Sequence, residues 1–153
     1  MKTFKLKSKV PYTPEQMFDL VADVECYGDF LPGWNYARIR KSEGNVTYVD
    51  QEVGMGGIHK RFTSRAVFTR PERIYITSTD GPFRRLTIHW TFQPAADFGC
   101  DGLFYVEVAL RSRFAEKFLS SLYDDMMQSV VSAFERRARH LYSHSATPVQ
   151  LEG

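Results

Sequence analysis

The sequence lacks most of the strong features that assign a function by themselves. Its two cysteines, Cys26 and Cys100, are too few for a disulfide scaffold and are not spaced as a CxxC metal site. No apolar run reaches the roughly 18 residues that a membrane-spanning helix needs. The net charge of +2 is far below the basic excess of dedicated nucleic-acid binders, so we expect no specific DNA binding.

Catalytic motifs are missing from the sequence as well. It contains no GxSxG elbow, no Walker loop and no HExxH zinc motif. His140 and His144 have the i,i+4 spacing of metal ligands but no Cys or carboxylate in register, so we expect no metal. Cys26 has no His or other base within local reach. The sequence therefore predicts no catalytic residues and favours a binding function over an enzyme.

Aromatic residues are abundant by contrast, at 14% of the chain, with 12 Phe and 8 Tyr. Such an excess suits either a bulky core or a cavity for a flat, apolar ligand. The stretch ECYGDFLPGW, residues 25–34, concentrates four large apolar side chains on a backbone broken by glycine and proline: Tyr27, Phe30, Leu31 and Trp34. This segment is either a packed corner of the core or the lip of a binding cavity.

Hydrophobic periodicity predicts the order of the secondary structure. Residues 2–10 alternate apolar residues with lysines, which predicts a strand with one solvated face. The sequence TPEQ, residues 13–16, supplies a capping box and a proline for the start of a short helix. Alternation then continues to residue 110 and indicates five or six consecutive antiparallel strands. The period changes to 3.6 afterwards and predicts a long helix over residues 115–142.

A sheet with one apolar face needs a cover, and the C-terminal helix is available to provide it. We therefore expect an α+β fold in which a curved antiparallel sheet wraps around that helix, and the volume between them is either filled with side chains or open to a ligand as an apolar cavity. In this interpretation residues 1–143 form one domain and residues 144–153 a disordered tail. The start of the chain shows no signal or transit pattern, which predicts a cytoplasmic location.

Basic residues cluster at two places, residues 84–85 and 136–139. Without an evident row of exposed stacking aromatics, these arginines are weak evidence for RNA binding. They suit a surface that contacts anionic lipid headgroups or another protein, or they serve solubility alone.

Three segments carry a resemblance to a known family. Residues 12–34 (YTPEQMFDLVADVECYGDFLPGW), residues 81–86 (GPFRRL) with Trp90 and Phe92, and residues 132–138 (SAFERRA) resemble the coenzyme Q-binding START-like proteins. That group is part of the polyketide cyclase/dehydrase and lipid-transport superfamily, and the resemblance covers roughly residues 2–143. A bacterial branch described as ribosome-association toxins is similar too. The resemblance implies a helix-grip fold of the START-like or Bet v 1-like kind, with no established catalytic residues.

The functions implied by this resemblance fall into three classes. The first is a non-enzymatic carrier or chaperone for ubiquinone or a related isoprenoid quinone, which supports respiratory electron transport and contacts the inner membrane peripherally. It requires no cofactor and takes the quinone as its ligand. The second is a ribosome-associated protein that interferes with subunit association. The third is a polyketide cyclase or aromatase, but this sequence shows no group of acid and base residues for such catalysis.

The resemblance also implies where a ligand would bind. We expect residues 25–34 to form the lip of the cavity, with Leu31 partly exposed on a poorly hydrogen-bonded segment, and Phe83 to join from a neighbouring turn. The expected lining of the cavity comprises Phe62, Phe68, Ile76, Ile88, Trp90, Phe92, Val106, Val108, Met126, Met127, Val130 and Phe134. Polar contacts to a headgroup are expected from Tyr36, Arg38 and Arg40.

Overall fold

The computed structural model describes the backbone of residues 1–55 and 57–152, and the side chains within 1–54, 57–117 and 122–143. The strands are, in chain order, β1 (Lys2–Val10), β2 (Trp34–Glu43), β3 (Val46–Met55), β4 (Ile58–Thr69), β5 (Arg73–Ser78), β6 (Phe83–Pro94) and β7 (Cys100–Leu110). The helices are α1 (Pro14–Ala22), a short 3₁₀ helix (Val24–Cys26), α2 (Tyr27–Phe30) and α3 (Arg113–Glu152).

The strands form one 7-stranded sheet in the order β1-β7-β6-β5-β4-β3-β2, and every neighbouring pair is antiparallel. Strands β2 to β7 follow one another through hairpin connections, while β1 pairs with the last strand, β7. The helices between β1 and β2 and the long α3 pack on the apolar, concave face of this sheet. The predicted helix-grip fold is confirmed.

The start of α1 follows from its local sequence. The Thr13 hydroxyl accepts a hydrogen bond from the Gln16 backbone N–H at 3.1 Å, and the Gln16 side chain accepts from the Thr13 N–H at 2.9 Å. Pro14 occupies the first turn, where its missing N–H costs nothing. The helix then buries one face, made of Met17, Phe18, Leu20 and Val21. The predicted capping box is confirmed.

Alternation in the strands also holds. On β1, Phe4 and Val10 are buried, whereas Lys5, Lys7 and Lys9 are exposed. On β6, the even-numbered residues from Leu86 to Phe92 face the core. Because successive side chains of a strand point to opposite sides, the remaining residues form an outer face that α1 and α3 do not cover.

Helix α3 is longer than predicted, beginning at Arg113 and ending at Glu152. It packs mainly against β1, β7 and the two helices that precede β2. Among the side chains of α3 that the structure describes, the buried ones are Tyr123, Val130, Val131, Ala133, Phe134 and Ala138. The predicted disordered tail comprises residues 144–153, whose side chains are not among those that the structure describes. Its disorder stays a prediction.

Candidate ligand-binding site

The corner segment, residues 25–34, is tied down by backbone hydrogen bonds. The Leu31 N–H donates to the Tyr27 carbonyl at 2.9 Å, and the Gly54 N–H of β3 donates to the Gly33 carbonyl at 2.7 Å. Leu31 is only 5% exposed. The expectations of poor hydrogen bonding and of a partly exposed Leu31 are therefore wrong, because the single turn of α2 directs this side chain into the core.

Tyr27 is the centre of an aromatic cluster that joins this corner to α3. Its buried ring lies edge-on to Phe30, Trp34 and Phe134, with centroid separations of 6.2, 6.3 and 5.5 Å. Its hydroxyl donates to the Val21 carbonyl, and burial raises the pKa of Tyr27 well above its usual value. Phe30 and Trp34 are only partly buried. The corner thus combines packed residues with two aromatic side chains that remain accessible.

A chain of buried polar contacts begins at Trp34. The indole Nε1–H donates to Gln51 Oε1 at 2.8 Å, and Gln51 Nε2 donates to Ser64 Oγ at 2.8 Å. Gln51 and Ser64 are both buried, at core-facing positions of β3 and β4. Sequence reasoning missed these two residues. The alternation of each strand could have revealed them, because each is a polar residue at a position where the pattern predicts an inward-facing apolar residue.

The predicted ligand-binding residues all belong to the core or to the layer packed directly on it. The buried ones are Tyr27, Leu31, Phe62, Trp90, Phe92, Val106, Val108, Val130 and Phe134. The partly buried ones are Phe30, Trp34, Phe68, Ile76, Phe83, Ile88, Met126 and Met127. The structure therefore brings the set together, with about half of its members still in reach of a ligand.

Part of the concave face over β5 and β6 is only partly buried, although α1 also packs on these two strands. Ile76 and Ile88 are direct cross-strand partners on this face, and both are only partly buried. Helix α3 lies mainly over β1 and β7, which are on one side of the Ile76–Ile88 pair. On α3 itself, Met126 and Met127 are also partly buried, and their flexible side chains suit a variable apolar ligand. This pair of isoleucines and this pair of methionines are therefore partly accessible apolar groups on the core side of the sheet.

The expected headgroup contacts lie on the wrong side of the sheet. Tyr36 and Arg38 pair in register with Glu52 and Asp50 of β3, on the face opposite to the core. Arg40 Nε donates to Asp50 Oδ2 at 2.9 Å, and this contact lowers the pKa of the Asp50 carboxyl. The register of β2 shifts twice along this stretch, which simple alternation does not anticipate.

Two cavities open elsewhere on the molecule. One of about 240 Å³ is lined by Tyr36, Arg40, Asp50, Gln51, Arg61, Phe62, Thr63 and Asp80. The other, about 320 Å³, is lined by Pro11, Tyr12, Thr13, Gln16, Phe98, Gly99 and Tyr142. Phe62 is the one member of the predicted lining that borders either cavity. An enclosed tunnel between α3 and the sheet therefore stays a prediction.

The groups capable of chemistry near the corner are held in unreactive forms. The Cys26 thiol donates to Asp23 Oδ2 at 3.2 Å, and this hydrogen bond raises the pKa of Cys26, which disfavours the nucleophilic thiolate. Within the described residues, no three His, Cys, Asp or Glu side chains are grouped so that they could hold a metal ion. His144 lies outside the described side chains.

No helix in the described part of the chain has the length and apolar character to cross a membrane.

Comparisons with known proteins agree on one family. The family described as "Polyketide cyclase / dehydrase and lipid transport" matches residues 10–135. The ribosome association toxin RatA of Escherichia coli (strain K12) is 34% identical over 134 residues, covering 88% of this chain and 85% of its own length. The mitochondrial coenzyme Q-binding protein COQ10 homolog B of Xenopus laevis is 28% identical over 142 residues, or 90% of this chain and 58% of that protein.

A solved structure extends the similarity to the whole fold. The 18 kDa protein CC1736 from Caulobacter crescentus superposes with a TM-score of 0.74 at 30% identity, and the match covers 94% of this chain and 99% of that one. The family match includes the corner segment, strands β2 to β7 and α3 as far as residue 135. The chain therefore belongs to the polyketide cyclase/dehydrase and lipid-transport family.

Proposed function

We propose that this protein binds ubiquinone or a related isoprenoid quinone on the concave face of its sheet and carries it without chemical change. The observation that carries the proposal is the partly buried apolar pair Ile76 and Ile88. Ile76 pairs with Ala66, two residues along β4 from Ser64, which ends the buried polar chain that begins at Trp34. A relative named for coenzyme Q binding supports the choice of ligand.

The apolar tail would supply most of the affinity. Each isoprene unit adds five carbons, and burial of one CH₂-sized group is worth about 0.8 kcal/mol. A single buried unit is thus worth about 4 kcal/mol at most, and a few units offset the several kcal/mol that association costs. The methionines of α3 and the isoleucines of the sheet can adapt to such a tail.

The polar chain offers a place for the quinone head. Gln51 uses one amide N–H toward Ser64 and its carbonyl toward Trp34, which leaves its second N–H as a donor. A quinone carbonyl is an acceptor that can take this hydrogen bond. Because the chain lies among buried aromatic rings, the ring of the ligand would pack against apolar neighbours. We propose this chain as the headgroup contact in place of Arg38 and Arg40.

Organic extraction of the purified protein, followed by mass spectrometry, tests the proposal. After incubation with quinone vesicles and gel filtration, we expect about one quinone per protein molecule. Ile88→Thr should retain much less quinone, because it places a hydroxyl on the apolar concave face. Ile58→Thr is the matched control, since Ile58 is 61% exposed. No quinone with the wild-type protein, or equal loss in both variants, would contradict the proposal.

Ribosome association is the second candidate function. It is favoured by relatives named ribosome association toxin, of which the Escherichia coli (strain K12) protein is 34% identical over 88% of this chain. Co-sedimentation with ribosomal subunits tests it directly.

For the quinone-carrier function, we propose a cytoplasmic protein that contacts the inner membrane peripherally to collect its ligand. Vesicle flotation tests that contact.

A further inference from the structure

The outer face of the sheet carries a row of tyrosine and histidine rings whose residues are far apart in the sequence. Cross-strand register places Tyr75 of β5 opposite His89 of β6, and His89 opposite Tyr105 of β7. All three lie on the side away from the core, because their neighbours along each strand face inward. The rings of Tyr75 and His89 meet edge to face, with centroids 5.7 Å apart. Tyr75 is 40% exposed, so its ring is open to a partner.

Cations surround this row. Lys5 of β1 is the register partner of Tyr105 and continues the row directly. The other exposed basic residues on this face of β1, β4, β5 and β6 include Lys7, Arg65, Arg73 and Arg85. Lys9 and Arg61 also lie on this face, but they are paired with the carboxylates of Asp97 and Glu52. The carboxylates of Asp101 and Glu107 on β7 also lie on this face, and the Arg85 guanidinium is 4.0 Å from that of Glu107. The surface around the rings is therefore positive, which complements a phosphate backbone.

We propose that this outer face, the Tyr75–His89–Tyr105 row with its flanking cations, binds a single-stranded segment of RNA. Rings on a sheet provide stacking platforms for unpaired bases, and lysines and arginines beside them neutralise the phosphates. Neighbouring strands are about 4.8 Å apart, so rings on successive strands can meet successive bases of an extended strand. The choice of RNA rests on the ribosome-association candidate, and the surface would give that candidate its chemical basis.

The apolar ligand and the RNA would use opposite faces of one sheet. The concave face is apolar and lies under α3, whereas the outer row is built from tyrosine, histidine and charged residues. An anionic membrane could also use the cations. It would not need exposed rings in a row, because headgroup attraction depends on the basic residues alone. The rings are thus the feature that separates RNA from lipid in an experiment.

Fluorescence anisotropy with labelled twelve-nucleotide oligo(U) and oligo(A) tests the proposal, with a duplex RNA and phosphatidylglycerol vesicles as competitors. Tyr75→Val keeps a good strand former and removes the ring. We expect it to weaken oligonucleotide binding by roughly 5- to 150-fold, the range for one stacked base. Arg73→Gln should reduce the slope of log K against log salt by about 0.7, the value for one phosphate contact of a single strand. Phe98→Ala, at an aromatic residue 66% exposed on the β6–β7 loop, is the matched control.

The outcomes separate this surface from the function on which it rests. Loss of binding in Tyr75→Val with unchanged melting and an unaffected Phe98→Ala supports the surface. Ribosome co-sedimentation that survives Tyr75→Val keeps the ribosome candidate and overturns the surface. Oligonucleotide binding without any ribosome association keeps the surface and overturns the ribosome candidate. Binding to vesicles but not to oligonucleotides, or equal loss in both variants, overturns the RNA proposal.

Discussion

The buried position of Leu31 leads to a large stability effect at a segment that looks like a loop in the sequence. Replacement of Leu31 by Ala removes three carbon atoms from a side chain that is 5% exposed. At about 0.8 kcal/mol per CH₂-sized group, the transfer term alone is about 2.4 kcal/mol. The cavity left behind raises the expected loss to about 2–5 kcal/mol. For a chain of this size the melting temperature should fall by roughly 5–15 °C.

Urea unfolding followed by the tryptophan signal measures this loss, with thermal melts on the same samples. Leu141→Ala is the matched control, because Leu141 on α3 is 41% exposed. We expect that control to change the free energy of unfolding by less than about 0.5 kcal/mol. If Leu31→Ala melted like the wild-type protein while quinone binding weakened, Leu31 would belong to a lip and our account of the corner would fail.

Three further predictions follow from the described contacts. Ser64→Ala should cost about 1–3 kcal/mol in urea unfolding, because the buried Gln51 amide loses its acceptor. Unchanged stability would mean that Gln51 finds another partner. Gly81→Ala should destabilise clearly in thermal melts, since φ is +61° and a Cβ would lie 2.3 Å from the Arg61 carbonyl oxygen. A wild-type melting curve would contradict that geometry. Burial and the nearby positive charge of Arg73 lower the pKa of His89, so the unfolded chain binds its proton first as the pH falls. Stability should drop below about pH 6.5, the usual pKa of histidine, and His89→Gln should flatten that dependence in melts between about pH 5 and 8.

Most of the fold follows from local sequence patterns. Alternation in β1 and β6 reflects one buried and one solvated face, and the capping box at Thr13 marks the start of α1. The change of period after β7 indicates α3. These features depend on neighbours only a few residues apart, and for that reason a single sequence contains them.

The details that decide the site depend on contacts between distant residues. Arg38 alternates with the buried Ala37 and so lies on the outer face, between two register shifts of β2 that no local pattern in the sequence reveals. Leu31 is buried because α2 packs against β2 and α3, which residues 25–34 alone cannot reveal. The row from Tyr75 to Tyr105 exists only once three strands pair in register. Sequence analysis therefore named apolar residues that do lie in or on the core, and it missed the polar chain and the row of rings on the outer face.

A quinone titration followed by intrinsic fluorescence tests the central claim most directly. The chain has two tryptophans, Trp34 and Trp90, and both lie on the proposed ligand-binding side of the sheet. A short-tailed ubiquinone should quench them in a saturable curve with one site per protein molecule. Ile88→Thr should shift that curve to higher concentration and Ile58→Thr should leave it in place. Linear, unsaturable quenching that is the same in all three proteins would contradict quinone binding on the concave face.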